Sequence, residues 1–122
     1  MSTELGKKYA DGEYITRQGE QGDCMYVIQS GQVEIIRHEQ GKEILLATRS
    51  SGEFVGEMAL FEKVTRMADV RAKGDAVVLT IDKRNLLSRI QVDPSVAFRL
   101  IETLSGRVRE LSTQIANMKS QG

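Results

Sequence analysis

The sequence predicts a mainly β protein with flanking helices: an antiparallel β-roll, like a jelly roll or double-stranded β-helix, followed by a long C-terminal helix. Eight of the eleven glycines fall between positions 12 and 74 and separate short runs rich in Val, Ile, Tyr and Leu, which is typical of many short strands. After Asp82 the apolar residues change to a helical period. The length of 122 residues suits one domain with one core. We therefore expect a single domain over 1–122, with the β-roll over about 9–82, a short helix over about 83–90 and a long helix over about 94–118.

The strands of the β-roll are predicted from apolar runs that lie between turn residues. A Ser-Gly pair at 30–31 separates the runs 25–29 and 32–37, which predicts a tight hairpin between two strands. A Gly-Lys pair at 41–42 predicts a second turn. Further strands are expected at 43–48, 68–72 and 76–82. The inward face of such a roll can enclose a small ligand.

Helical patterns follow the last predicted strand. Asp82 can cap the short helix, and Asp93 with Pro94 predicts the start of the long one, because Asp is a good cap and Pro loses nothing in the first turn. Apolar residues then recur at steps of three and four: Ile101, Leu104, Val108, Leu111, Ile115 and Met118. β-Branched residues take one core position and Leu or Met the other, as in parallel two-stranded coiled coils. This predicts a homodimer helix; the alternative is that the stripe packs on the β-roll of its own chain.

The overall composition argues against two classes of partner. Seventeen Lys and Arg balance seventeen Asp and Glu, so no positive field favours direct binding of nucleic acid. No apolar run reaches the length of a membrane span, and the N-terminus lacks an apolar secretory stretch. We expect a cytoplasmic protein that does not enter a membrane.

The only histidine and the only cysteine offer little catalytic chemistry. His38 lies in a polar stretch typical of a hairpin tip and is expected to be a solvated loop residue. Neither a His-rich metal site nor a Ser-His-Asp triad is therefore predicted. Cys24 is expected to be an inert buried thiol, since the local sequence supplies no cationic neighbour.

The segment from Gly56 to Arg66 carries the clearest functional signal. Gly56 permits close approach of the backbone, and 57–61 predicts a single helical turn whose first N–H groups can bind an anion such as phosphate. Arg66 is expected to open the next strand and to fold back toward the same N-terminus. Glu57 can accept a hydrogen bond from a sugar hydroxyl. The combination predicts a phosphate attached to a ribose; the alternative is that these charged residues are solvated surface residues.

Two separated stretches, 54–61 and 66–70, read Phe-Val-Gly-Glu-Met-Ala-Leu-Phe and Arg-Met-Ala-Asp-Val. They resemble the phosphate-binding cassette of the cyclic nucleotide-binding domain family, approximately Phe-Gly-Glu-x-Ala-Leu, a short loop, then Arg-x-Ala-Ser/Thr-Val. Residues 9–35 are similar to the opening β-roll pattern of the family, and 90–94 with 98–100 to the hinge and dimer helix of its bacterial catabolite-activator branch. The resemblance covers nearly the whole chain. It implies a β-roll that binds cyclic AMP or cyclic GMP, with no cofactor or metal and no enzyme activity.

The resemblance also implies roles for individual residues. Glu57 would accept the ribose 2′-hydroxyl, and Arg66 would pair with the cyclic phosphate. Backbone amides would complete the phosphate contacts. The implied ligand-binding residues are Gly56, Glu57, Met58, Ala59, Leu60, Arg66, Met67 and Ala68. Further residues are implied for the pocket and the base: Ile35 and Val55 from the β-roll, and Arg107 and Ser112 from the dimer helix.

Two positions depart from the family pattern. Asp69 stands where the family usually carries Ser or Thr, and alternation along a strand that begins at Arg66 would turn Asp69 away from the phosphate. Leu111 stands where the catabolite activator has a second hydroxyl residue for the base, which leaves the choice between adenine and guanine open.

We expect a regulatory module that binds a cyclic purine nucleotide, cyclic AMP first, and acts through ligand-coupled helix movement and dimerisation on an unknown protein effector. One alternative is a degenerate fold that serves as a dimerising interaction domain without ligand. Another is a cupin-like β-barrel enzyme, which the missing histidines disfavour. The polar tail 119–122 carries no DNA-reading element, so we expect either a stand-alone sensor or a fragment of a longer regulator.

Overall fold

The computed structural model describes residues 6–121, which form one six-stranded antiparallel sheet and three helices. The strands are β1 (Lys7–Tyr9), β2 (Tyr14–Thr16), β3 (Cys24–Glu39), β4 (Lys42–Ser50), β5 (Phe54–Val55) and β6 (Asp69–Asp82). The helices are α1 (Glu57–Phe61), α2 (Lys83–Val92) and α3 (Ser95–Gln121). The strand order is β1, β6, β3, β4, while β2 pairs with β6 and β5 pairs with β3. The predicted mainly β fold with a long C-terminal helix is confirmed.

Two long strands form the middle of the sheet, where the sequence predicted four short ones. β3 runs 16 residues through Ser30 and Gly31, so the hairpin predicted there is wrong. β6 runs 14 residues and joins the strands predicted at 68–72 and 76–82. Gly31 has a φ of 79°, and the β3–β6 register shifts on both sides of Ser30, so the glycine supports a bulge instead of a turn. A Cβ atom at Gly31 would lie 2.2 Å from the carbonyl oxygen of Asp75, which also requires glycine.

The second predicted turn, near Gly41, is confirmed. Glu39 of β3 pairs with Lys42 of β4 across a two-residue loop. Gln40 and Gly41 both have positive φ, at 51° and 76°, as a type I′ turn requires. The far end of β3 therefore lies in a tight hairpin, and His38 belongs to that strand and not to a loop.

The core of the β unit is built from β3, β5 and β6. Ile28, Val33 and Val78 are fully buried. They share one cluster with Val55, Val70, Ala72 and Ala76, and Tyr9, Ile15, Tyr26 and Ile35 pack against it. Burial of one large apolar side chain contributes about 1.5–3 kcal/mol, so this cluster holds β3 firmly on β6. These two strands carry or adjoin most of the site described below.

The chain forms two compact units, one that ends at Lys83 and one that begins at Arg84. In the second unit, Asp93 caps α3, because its Oδ1 atom accepts hydrogen bonds from the Ser95 hydroxyl at 2.7 Å and the Ser95 amide at 3.1 Å. The same bonds lower the pKa of Asp93. That the two units make up a single domain stays a prediction.

α3 is a 27-residue helix that passes Gly106 without a break. Most side chains of its predicted heptad stripe are exposed: Ile101, Val108, Leu111, Ile115 and Met118. No helix within residues 6–121 is both long enough and apolar enough to cross a membrane.

Candidate functional site

Arg66 is the one buried basic residue among residues 6–121, with 6% of its surface exposed. It lies in the loop between α1 and β6. Its Nη1 atom donates to the carbonyl oxygen of Gly56 at 3.0 Å, and its Nη2 atom lies 3.4 Å from both the Cys24 sulfur and the Tyr26 hydroxyl. The guanidinium carbon also lies 5.1 Å from the centre of the Tyr26 ring. The guanidinium is thus fixed by groups from β3 and from the residue before α1.

The partners of this guanidinium are a carbonyl, a thiol and a phenol hydroxyl. Burial and the hydrogen bond with Cys24 raise the pKa of Tyr26 to about 12, although Arg66 opposes the shift, so this hydroxyl is neutral at pH 7. The Nε atom of Arg66 is buried and has no hydrogen-bond partner in the described part of the chain. A buried cation with an unused donor is costly unless an anion completes its environment. The arrangement can therefore receive an anion at Arg66.

Two glycines make room for the guanidinium. A Cβ atom at Gly22 would lie 2.4 Å from Arg66 Nε, and one at Gly56 would lie 2.7 Å from Arg66 Nη1. Gly56 also has a φ of 77°, the left-handed conformation that starts α1. Any larger residue at either position would displace the guanidinium.

α1 begins directly after Gly56 and is five residues long. Ala59 and Leu60 are buried and anchor it, whereas Met58 is exposed. The first N–H groups of a helix have no partner within it. Since Arg66 donates to Gly56, the predicted phosphate-binding backbone and the predicted phosphate-binding cation lie side by side.

The backbone of Arg66 is fixed as firmly as its side chain. Gly19 N donates to Arg66 O, and Arg66 N donates to Glu20 O, both at 2.8 Å. An isolated β-bridge joins Gln21 and Thr65. β6 begins only at Asp69, so the expectation that Arg66 opens the strand is wrong, because the residues around Arg66 bond to the loop 19–21 and not to the sheet.

The surroundings of Asp69 also differ from expectation. Because no strand runs from Arg66 to Asp69, the alternation argument does not apply, and Asp69 is instead buried with specific partners. Its Oδ1 atom accepts from Gln18 N at 2.8 Å, and its Oδ2 atom lies 2.5 Å from His38 Nε2. The prediction that His38 is a loop residue is wrong, since it lies in β3 and its imidazole bonds to a buried carboxylate; the side chain is nevertheless 42% exposed, as a solvated residue should be.

The other predicted pocket residues lie in several elements. Val55 is in the core cluster, and Ile35 packs against that cluster. Met67 is exposed and Ala68 is partly buried in the bend before β6. Arg107 and Ser112 lie on α3, in the second compact unit. No group of three or more His, Cys, Asp or Glu side chains within residues 6–121 could hold a metal ion.

Three site residues were missed by the sequence reasoning: Gly22, Cys24 and Tyr26. Cys24 was expected to be an inert buried thiol because the local sequence supplies no cationic neighbour; it is only partly buried, and the fold brings Arg66 to it across 42 positions. Tyr26 meets Arg66 across 40 positions. No local pattern joins residues this far apart. Tyr26 of β3 pairs with Val55 of β5, which brings Gly56, and Arg66 bonded to it, to the start of β3.

Comparison with known proteins places these features in a family. Residues 6–93 match the family model described as "Cyclic nucleotide-binding domain". The chain belongs to this family. The residues matched include β1–β6, α1 and α2, and hence Arg66 and all of its partners.

Within the cyclic nucleotide-binding domain family, the chain is similar to several regulators. It is 34% identical over 113 residues to the cAMP-activated global transcriptional regulator CRP of Salmonella typhimurium, covering 91% of this chain and 54% of that protein. The Thermus thermophilus Catabolite Activator Protein has a TM-score of 0.83 at 32% identity, covering 93% of this chain and 54% of that one. The regulatory domain of Toxoplasma gondii PKA, solved with cAMP, has a TM-score of 0.66 at 28% identity, covering 82% and 38%. The chain thus spans about half the length of the curated relatives it matches.

We predict that Gly22→Ala destabilises the protein. The φ of Gly22 is not in the left-handed region, so the cost comes from the 2.4 Å approach of the new methyl group to Arg66 and should be about 1–3 kcal/mol. The matched control is Gly106→Ala in α3, where the nearest atom would be 3.7 Å away and helix propensity should add up to about 1 kcal/mol of stability. Urea denaturation measures both; equal stability of Gly22→Ala and the parent would contradict the tight packing.

Proposed function

We propose that this chain binds a cyclic purine nucleotide, cyclic AMP first, and acts as a non-enzymatic regulatory module in the cytoplasm. The observation that carries the proposal is the buried Arg66 guanidinium. Its partners include two uncharged groups, the Tyr26 hydroxyl and the Gly56 carbonyl, and its Nε atom has no hydrogen-bond partner in the described part of the chain. A singly charged phosphodiester would neutralise this cation and could accept a hydrogen bond from its Nε atom. Family membership supports a cyclic phosphate as that anion, and relatives named for cAMP support adenine as its base.

Each part of the cyclic nucleotide has a proposed contact in this chain. Arg66 pairs with the cyclic phosphate, and Glu57 accepts the ribose 2′-hydroxyl. The phosphate is further held by amides of Met58, Ala59, Leu60, Met67 and Ala68. The pocket is lined by Ile35 and Val55, and the residues proposed for the base are Arg107 and Ser112 on α3. Cyclic GMP is the competing ligand, since Leu111 offers no hydroxyl to favour adenine.

We propose that the chain forms a homodimer through α3 and that this dimer acts on a protein partner. The exposed apolar stripe on α3 supports the dimer, because a second helix with the same heptad pattern would bury these side chains. Ligand and dimer would then be coupled through movement of α2 and α3.

Calorimetric titration tests the proposed ligand. The purified protein should release or absorb heat with cyclic AMP or cyclic GMP at sub-millimolar concentration, and much less with 5′-AMP. Arg66→Ala should weaken binding by about tenfold to a hundredfold, because a hydrogen bond to a charged group contributes about 1.5–3 kcal/mol. Arg66→Lys should recover only part of the affinity, since the planar fork is lost. Absence of heat with both cyclic nucleotides would instead favour an interaction domain without ligand.

A 2′-deoxy cyclic nucleotide tests the role of Glu57. Glu57→Gln should weaken binding of the ribose form by about threefold to tenfold and leave the deoxy form nearly unchanged, because only the ribose form offers a hydroxyl to a charged acceptor. The measurement is the affinity of parent and variant for each ligand. Equal losses for the two ligands would show that Glu57 acts on another part of the nucleotide.

Sedimentation tests the dimer. Replacing Val108 and Leu111 with Glu should give a folded monomer, because charged residues in a coiled-coil seam lack partners. If the ligand binds the dimer about tenfold better per site, linkage requires it to tighten dimerisation by about 1.4 kcal/mol for each site filled. A parent protein that stays monomeric with and without cyclic nucleotide would overturn this part of the proposal.

A further inference from the structure

A buried carboxylate lies only three residues after the phosphate-binding cation. Asp69 is 4% exposed and has two partners from different parts of the chain. Gln18 N donates to its Oδ1 atom at 2.8 Å, and His38 Nε2 lies 2.5 Å from its Oδ2 atom. With Asp69 ionised, its carboxylate only accepts hydrogen bonds, so the imidazole is the donor. Each oxygen of the buried group therefore has a donor, as its burial demands.

The two partners of Asp69 also hold each other. The Gln18 side chain donates to the carbonyl oxygen of His38 at 3.1 Å and accepts from the His38 amide at 2.7 Å. We call Gln18, His38 and Asp69 the clasp. A fifth bond runs beside these four, from Arg37 Nη1 to the carbonyl oxygen of Met67 at 3.2 Å. The clasp thus ties the end of β3 to the turn at 17–20 and to the start of β6.

The 17–20 turn, which contains Gln18 of the clasp, is hydrogen-bonded to the backbone of Arg66. Gly19, next to Gln18, donates to Arg66 O at 2.8 Å, and Glu20 accepts from Arg66 N at 2.8 Å. A shift of the 17–20 turn therefore shifts the Arg66 peptide. The guanidinium has little tolerance for such a shift, because Gly22 and Gly56 leave no room for a Cβ atom beside it.

We propose that the clasp positions Arg66 for the cyclic phosphate. His38 is then a positioning residue that sets nucleotide affinity through Asp69, and the Gln18 side chain holds the 17–20 turn to the backbone of His38. The inference rests on the proposed function. Without the His38 donor, one oxygen of a buried carboxylate loses its partner, and the start of β6 and the 17–20 turn relax toward water. Arg66, bonded to that turn, then leaves the geometry in which its donors converge on one anion.

The first test is the affinity for cyclic AMP of three variants in the full chain. His38→Ala should bind about tenfold more weakly than the parent, the effect of losing a hydrogen bond to a charged group. His38→Gln should stay within about threefold of the parent, because its amide can donate to Asp69 as the imidazole does. The matched control, Lys42→Ala, removes an exposed side chain from the tip of the same hairpin and should match the parent. Unchanged affinity of His38→Ala would overturn the proposal.

The second test needs no ligand. Hydrogen exchange of the Gly19 and Arg66 amides should be at least about tenfold faster in His38→Ala than in the parent, and parent-like in His38→Gln. Equal exchange in all variants would overturn the clasp even if affinity fell. If the parent binds no cyclic nucleotide but exchange responds as expected, the clasp stands as a device that places Arg66, and the proposed ligand is wrong.

Discussion

The positive charge of Arg66, held away from water, is the constraint on which the site depends. A guanidinium at this depth must be surrounded by acceptors and by space of the right shape. Gly56 provides a carbonyl, Gly22 provides space, and Cys24 and Tyr26 provide sulfur, hydroxyl and ring. Because these groups already hold the guanidinium in place, an anion proposed to bind there would meet a site that needs little reorganisation.

The curvature of β3 makes this arrangement possible. Arg66 meets Cys24 at the start of β3, while Asp69 meets His38 near its end. A flat strand would separate those two β3 residues, 14 positions apart, by about 45 Å, whereas three residues of chain span about 11 Å at most. The register shifts beside Ser30 and between Ile35 and Ile36 mark bulges that curl the strand. One strand therefore contacts both ends of the segment from Arg66 to Asp69.

The sequence predicts the local features of this protein better than the distant ones. Glycine spacing and the heptad pattern identified the β class and the long helix, because turns and helices are governed by near neighbours. Gly31 was misread as a turn, since a positive φ serves a bulge as well as a hairpin. Arg66 and Gly56 were singled out together because they lie ten positions apart. Tyr26, His38 and Gln18 were not, because their roles depend on contacts over 20 to 51 positions, which no local pattern encodes.

The partners of Asp69 have a consequence for how this chain can evolve. A chain with Ser or Thr at position 69, the usual choice in the family, buries no carboxylate there and has no need of an imidazole at position 38. Once Asp occupies position 69, losing His38 leaves a buried charge without one of its donors, and losing Asp69 leaves His38 without its acceptor. Wherever position 69 is Asp, we therefore expect position 38 to keep a side chain that can donate a hydrogen bond to it, such as His or Gln.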